Sequence, residues 1–430
     1  MSMERSLATL RKTPPGPRSQ SPFFLMRSAT ALLRSTLLLA ARPRTLCVTA
    51  AAAPPKRVVF LGTPNVAARS LELILQGAQD GRGGGFEVAA VVSQPPAKTG
   101  RKMKLTPSPV HVLAEEKGVK LFTPPNAKDE EFLSALEALE PDLCITAAYG
   151  CFLPQRFLDT PKLGTLNIHP SLLPLYRGAA PVQRSLENGD AVTGVSVAFT
   201  VLAMDAGPLV RQVERPLNGD EQAGELLNEL FETGTDLLLD ALPSVWDGSC
   251  GATMVQQDGE RATKAPKIKN EEAEVRLDEL GAASVHHRVR GFSISPGVWT
   301  EFDLGDAKPP VRVKLLKTAI VDGGGAPTGG TSSGREIALN GKRLELTCSD
   351  SSILGVSELT LPGKKPTNAK SFWNGLNKRT ATWVGADQKP PTSDAPPKAK
   401  AAPKAKEAPA TASGDNEAPP PDGFIWGITL

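Results

Sequence analysis

The chain has 430 residues, 40% of them hydrophobic and 22% charged, enough for two or three packed domains and incompatible with a chain disordered throughout. No stretch supplies the ~20 consecutive apolar residues of a membrane-spanning helix, and the five cysteines (Cys47, Cys144, Cys151, Cys250, Cys348) form no CxxC pair, so neither a membrane anchor nor a disulfide or zinc scaffold is expected. The net charge of +3 conceals a body, 58–386, with 34 basic against 39 acidic side chains; such a body does not bind nucleic acid by bulk charge, and an RNA partner would need local basic patches.

In chain order, residues 1–57 hold eight Arg and two Lys against one acid, Glu4. With its Ser, Ala and Leu content, the segment 1–54 is expected to be an organellar transit peptide, for mitochondrion or plastid, rather than part of the fold. RVVFL at 57–61 reads as a buried strand. Gly62-Thr63-Pro64 follows, with Thr63 as helix cap and Pro64 in the first turn of a helix over 65–76. Further strands are expected at 88–92, 119–122, 142–147 and 165–169, with helices at 109–118, 127–139 and 178–188 between and after them. Strands at 194–202 and 209–214 and a helix over 221–242 complete an α/β, Rossmann-like, mostly parallel sheet domain over 55–245. The first turn has Gly62 but no GxGxxG, so a dinucleotide site is not supported.

A linker is expected at 246–265. From 266 to 385 short strand-like runs at 298–302, 311–316, 336–340, 343–347 and 353–361, with a hairpin signal at Asn340-Gly341, fit a small OB-like β-barrel domain. DGGGAPTGGTSSG at 322–334 reads as a loop inside it, and the Pro-, Ala- and Lys-rich stretch at 386–430 as a low-complexity tail.

The chemistry concentrates in Leu166-Asn167-Ile168-His169-Pro170-Ser171-Leu172-Leu173-Pro174. Asn167 and His169 are two apart on a strand, so both side chains take one face while Ile168 packs on the other. They lie at the strand's C-terminal end, where open α/β sheets place their sites. Pro170 has no N–H, so an oxyanion formed beside His169 must be held by the Asn167 amide or by another backbone group. No GxSxG or Cys–His pair offers a covalent nucleophile, and His111, His286 and His287 have no acids or cysteines in ligand spacing, so no metal is expected. His286-His287 reads as a half-exposed helical pair.

Taken with Ser171-Leu172-Leu173-Pro174 and Tyr176-Arg177-Gly178-Ala179-Ala180-Pro181, the Asn-x-His resembles the folate-dependent formyltransferases. In that family an Asp about 40 residues on completes the catalytic centre, and Asp205, in Ala203-Met204-Asp205-Ala206-Gly207-Pro208, matches it. Within the family the chain is similar to the members acting on methionyl-tRNA, through Gly62-Thr63-Pro64 with Ala67-Ala68-Arg69, Gln94-Pro95, Leu105-Thr106-Pro107-Ser108-Pro109-Val110 and Arg177-Gly178-Ala179-Ala180-Pro181-Val182-Gln183-Arg184. The likeness covers about 57–385. Pro170 stands where many members have Gly, and Pro208 where many have a second Asp; neither alters Asn167, His169 or Asp205.

The resemblance implies formyl transfer from 10-formyltetrahydrofolate to the α-amino group of methionyl initiator tRNA by a monomer without a metal. Asn167, His169 and Asp205 would be catalytic. Folate would lie between 142–154 and the Asp205 loop, bordered by Ala148, Tyr149, Gly150 and Ser171, Leu172, Leu173 and Pro174. Lys98, Arg101, Lys102 and Lys104 would form the loop that enters the acceptor stem, with Lys267, Lys269, Arg290, Lys364 and Lys365 extending the track over the barrel. Two rival readings are a formyltransferase of the same fold with a small amine acceptor and a noncatalytic RNA-binding relative.

Overall fold

The computed structural model describes residues 54–100, 102–321, 335–385 and Asp387. The expected leader at 1–54 (Pro54 apart), Arg101, the loop at 322–334 and all of the expected tail at 386–430 except Asp387 lie outside the described residues.

The first domain is built on a seven-stranded sheet, with strands β1 (Lys56–Gly62), β2 (Phe86–Val92), β5 (Leu121–Phe122), β6 (Leu143–Ala147), β7 (Thr165–His169), β8 (Val192–Phe199) and β9 (Leu209–Pro216). Their spatial order is β5-β2-β1-β6-β7-β8-β9. The first five pair in parallel, β8 runs antiparallel to β7, and β9 runs antiparallel to β8. The central strands are apolar throughout because both faces are covered. On one face Val58, Phe60, Leu166 and Ile168 pack under α1 (Asn65–Gln79) and the long α6 (Ala223–Trp246). On the other, Val59, Leu61 and Cys144 meet Phe132 of α3 (Glu130–Glu137) and Phe157 of α4 (Gln155–Asp159). Gly234 of α6 sits flush on the sheet: a Cβ there would come within 2.6 Å of both Ile168 and Val195.

The remaining helices are α2 (Pro109–Glu116) and α5 (Pro181–Asn188). Several boundaries move from the sequence reading. The expected helix at 127–139 begins only at Glu130, because the Asp129 carboxylate caps it by accepting the Phe132 N–H. Residues 178–180 precede α5 as a loop. The strand expected at 119–122 keeps only Leu121 and Phe122. The basic segment is an unanticipated hairpin of β3 (Ala97–Thr99) and β4 (Lys104–Thr106).

The second domain is an antiparallel sheet of β10 (Val298–Asp303), β11 (Val311–Val321), β12 (Ala338–Asn340), β13 (Arg343–Thr347), β14 (Ile353–Thr360), β15 (Thr367–Asn368) and β16 (Thr382–Trp383). Its path is β12-β13-β14-β11-β10-β16, with β15 paired to β14. A bridge between Glu336 and Thr382 joins the two ends and closes the sheet into a barrel. The barrel core takes Val285 and Val289 from α7 (Ala282–Gly291) and Phe372 from α8 (Ala369–Gly375).

The two domains are locked together through α7. Arg290, 3% exposed, donates to the Glu221 carbonyl at 2.9 Å and to its carboxylate at 3.2 Å. His286 is buried rather than half exposed, with Nε2 at 3.0 Å from the Gly219 carbonyl and Nδ1 at 2.9 Å from Thr318 Oγ1. Across α5, Arg184 pairs with Glu272 at 2.7 Å and Arg288 with Glu187 at 3.2 Å. The track imagined over the barrel therefore loses Arg290, which is committed to the domain junction.

Candidate active site

The chain switches direction across the sheet between β1 and β6, where Gly62 and Ala147 are register partners. Ligand crevices of open α/β sheets lie outside the carboxyl ends of the strands at that point. The Tyr149 carbonyl, just past the end of β6, accepts from the Thr63 hydroxyl at 2.9 Å and from Gln94 Nε2 at 3.0 Å. Thr63 thus ties two strand ends together instead of capping α1, whose first turn follows Pro64 without a side-chain cap. Nearby, the hydroxyls of Ser93 and Ser108 are 2.6 Å apart. The turn after β6 is tight: Ala148 and Gly150 have φ of 47° and 84°. Tyr149 is buried, and that burial raises its phenol pKa.

One strand over, β7 carries Asn167 and His169 on the face opposite Leu166 and Ile168, as the alternation requires. Asn167 is the register partner of Thr146, whose hydroxyl donates to Asn167 Oδ1 at 2.8 Å. That bond turns the amide so that Nδ2, the donor, faces Asp205 Oδ1 at 3.5 Å. His169, buried, has Nδ1 at 3.7 Å from Asp205 Oδ2 and Nε2 at 3.0 Å from the Tyr176 carbonyl. A carbonyl oxygen only accepts, so Nε2 carries hydrogen and Nδ1 is the nitrogen whose proton can change. The three side chains brought from positions 167, 169 and 205 share one cleft.

Two loops hold the carboxylate. Asp205 has φ 49°, a strained backbone for a non-glycine residue. Its Oδ2 accepts the Gly178 N–H at 2.9 Å. Gly178 is itself at φ 123°, and a Cβ there would lie 2.8 Å from the Ala265 carbonyl. From the stretch expected as a linker, Gln257 Nε2 donates to the carbonyls of Asp205 and Gly207 at 2.8 and 2.7 Å, while its Oε1 accepts from Arg177 at 2.7 Å. Residues 246–265 therefore run along the catalytic domain, with bridges from Val255 to Leu209 and from Lys264 to Arg177. Thr146 and Gln257 support the site and carry no sequence motif of their own.

Ser171, Leu172, Leu173 and Pro174 form the turn after β7. Ser171 is fully buried, its hydroxyl donating to the Leu175 carbonyl at 2.7 Å, and the Leu173 N–H is held by Ser196 Oγ at 3.1 Å. Leu172 packs over Gly194. Lys98 and Lys104 are exposed on β3 and β4, and Lys102 is exposed in the turn between them; the fourth residue of that set, Arg101, lies outside the described residues. Among the described residues no group of three His, Cys, Asp or Glu side chains could hold a metal ion, and no helix is long and apolar enough to cross a membrane.

The formyl transferase family model matches residues 56–242, and the model of the formyl transferase C-terminal domain matches 267–377. A methionyl-tRNA formyltransferase of Macrococcus caseolyticus is 37% identical over 323 residues, spanning 75% of this chain and 96% of that protein. The chain belongs to the methionyl-tRNA formyltransferase family. It is an enzyme of the formyltransferase class. Another member, from Methylobacterium sp. (strain 4-46), is 42% identical over 272 residues, 63% of this chain and 84% of its own length. Among solved structures, an N-formyltransferase from Helicobacter canadensis in complex with folinic acid and dTDP-3-aminofucose is similar at TM-score 0.49 and 15% identity, covering 70% of this chain and 98% of that one. The family's two-domain arrangement matches the sheet domain and barrel described above.

Proposed function

We propose that the chain transfers the formyl group of 10-formyltetrahydrofolate to the α-amino group of methionyl initiator tRNA. The observation that carries this reading is the convergence of Asn167, His169 and Asp205 at the end of β7 in a chain of this family. A free α-amine has pKa ~7.7–8.0, so a useful fraction is neutral near neutral pH and no covalent nucleophile is needed. Amine attack on a formyl carbon develops negative charge on its oxygen. Asn167 Nδ2, pre-turned by Thr146, donates there without carrying charge. His169 Nδ1, facing Asp205 at 3.7 Å, takes the proton of the attacking amine and returns it to the folate nitrogen as the bond from that nitrogen to the formyl carbon breaks and tetrahydrofolate leaves.

Folate fits between the Ala148-Tyr149-Gly150 turn and the Asp205 loop. Ala148 and Gly150 are partly exposed, while the Tyr149 side chain is buried and its carbonyl is taken by Thr63 and Gln94. Ser171 and Leu173, buried, act by fixing the turn; Leu172 and Pro174 remain partly exposed. The basic hairpin supplies phosphate contacts for the tRNA. The composition of 1–54 supports import into a mitochondrion or plastid, where the enzyme would serve translation initiation; fusing that segment to a fluorescent protein tests this.

The deciding experiment offers purified protein formyltetrahydrofolate with charged initiator tRNA, glycinamide ribonucleotide or an amino-sugar nucleotide. Formyl-methionyl-tRNA as the sole product supports the proposal. Product only from a small amine favours the first rival, and no product with any acceptor favours the noncatalytic one.

A further inference from the structure

Tyr176 joins the catalytic trio to a polar network that formyl transfer itself does not use. Its backbone is left-handed, φ 62°, a conformation that a bulky residue keeps only where its surroundings hold it. The Tyr176 N–H donates to Thr263 Oγ1 at 2.8 Å. Its carbonyl accepts from His169 Nε2 at 3.0 Å. Its phenol donates to Asp190 Oδ2 at 2.6 Å and accepts from Asn188 Nδ2 at 2.9 Å. Asp190 also accepts the Ser185 hydroxyl at 2.8 Å, which anchors it to α5. The Tyr176 side chain lies on the wall of a cavity of about 680 Å³ beside Arg184, Asp190 and Lys264. Burial, with the Asp190 bond, pushes the phenol pKa up to about 12, so the donor stays protonated.

We infer that Tyr176 is a positioning residue: its bond to Asp190 holds the Tyr176 carbonyl where it captures the Nε2 proton of His169, keeping Nδ1 as the basic nitrogen of the neutral ring. Remove that acceptor and the neutral ring can carry its proton on Nδ1, facing the Asp205 carboxylate 3.7 Å away. The nitrogen needed in the cleft is then blocked. No proton is gained or lost; one moves between two nitrogens of the same imidazole. The kinetic half of this inference rests on the formyl-transfer reading, and the tautomer half does not.

The test is Tyr176→Phe, with Asp190→Ala beside it, in the full chain. Selective nitrogen-15 labelling reports only four histidines, and His169→Gln assigns the His169 signals. The neutral wild-type ring is expected as the Nε2–H form. Both variants should shift it toward the Nδ1–H form and lower kcat about tenfold or more, with KM for formylfolate and for methionyl-tRNA within about threefold. Wild-type kcat and tautomer in a folded Tyr176→Phe protein overturn the inference. So does lost activity with the tautomer unchanged, or lost activity that merely follows the unfolded fraction. An inactive wild type would instead defeat the formyl-transfer reading, and the nitrogen spectra would still decide the tautomer. If Tyr176→Phe does not fold, Asp190→Ala carries the same comparison.

Discussion

The Gln257 side chain donates both of its amide hydrogens to the Asp205 loop, to the Asp205 carbonyl at 2.8 Å and the Gly207 carbonyl at 2.7 Å. Its oxygen faces the Arg177 guanidinium, so the amide has one acceptable orientation. Gln257→Ala removes the clamp on a backbone already at φ 49°. The expected result is a fall in kcat of about tenfold with the fold retained, since small misplacements of a catalytic group are costly. Gln257→Glu should be no better, because it sets an oxygen against two carbonyls. Steady-state kinetics checks both; an unchanged kcat in Gln257→Ala would show that the loop is held by other means.

Asn167→Ala, His169→Ala and Asp205→Ala should each reduce kcat by at least about a hundredfold, the scale of losing one oxyanion donor or proton carrier. Their effects should fall short of additive, because the three groups share one reacting centre. Melting temperatures should stay near wild type for Asn167→Ala, whose side chain is only partly buried. Near-normal turnover in purified His169→Ala protein would remove the catalytic assignment.

The hairpin register gives the basic residues unequal positions. Lys98 stands opposite Leu105, while Lys104 stands opposite Thr99, so the two lysines project from different faces of the ribbon. Lys102→Glu and Lys104→Glu should raise KM for tRNA and flatten its salt dependence by about one unit of slope per lost phosphate contact. KM for formylfolate should not move. If folate KM alone responds, the hairpin borders the folate and not the tRNA.

The parts of the site legible in the sequence are those with short-range geometry. Asn167 and His169 follow from strand alternation, and Asp205 from its distance to the resemblance motif. A Thr before a helical pattern satisfies the local cap rule, whereas the partner of Thr63 is a carbonyl 86 residues away. Gln257 left no signal at all: a lone amide in a loop gains its role only when the chain folds it against Asp205, 52 residues earlier. The hairpin is silent in the sequence because three-residue strands rich in Lys and Thr have no apolar alternation. His286 reads as half exposed because helical periodicity covers one chain segment and says nothing of a second domain packing against it. Alternation marks the longer barrel strands, as in Val298–Asp303, but stops five residues short on β11 and gives no sign of the two-residue β15 and β16.

The domain junction predicts a specific acid response. Burial works against the charge of Glu221, but the N–H groups of Asn218 and Gly219 and the Arg215 guanidinium overcome it and draw the pKa from 4.5 down to about 2. Arg290 faces the same carboxylate from α7, with His286 close by and Asp220 on the loop itself. A carboxylate whose pKa is depressed in the folded state binds fewer protons there than in the unfolded chain. Its contribution is therefore complete above about pH 4.5 and is lost as pH falls toward about 2, amounting to on the order of 3 kcal/mol. Glu221→Gln resembles the protonated side chain at every pH. At pH 7 it should melt several degrees below wild type, and the gap should close progressively between about pH 4.5 and 2. Thermal melts at a series of pH values measure that gap. A gap that stays constant down to pH 3 would mean the carboxylate's charge contributes nothing to the junction, leaving Arg290 to act through its hydrogen bond to the Glu221 carbonyl alone.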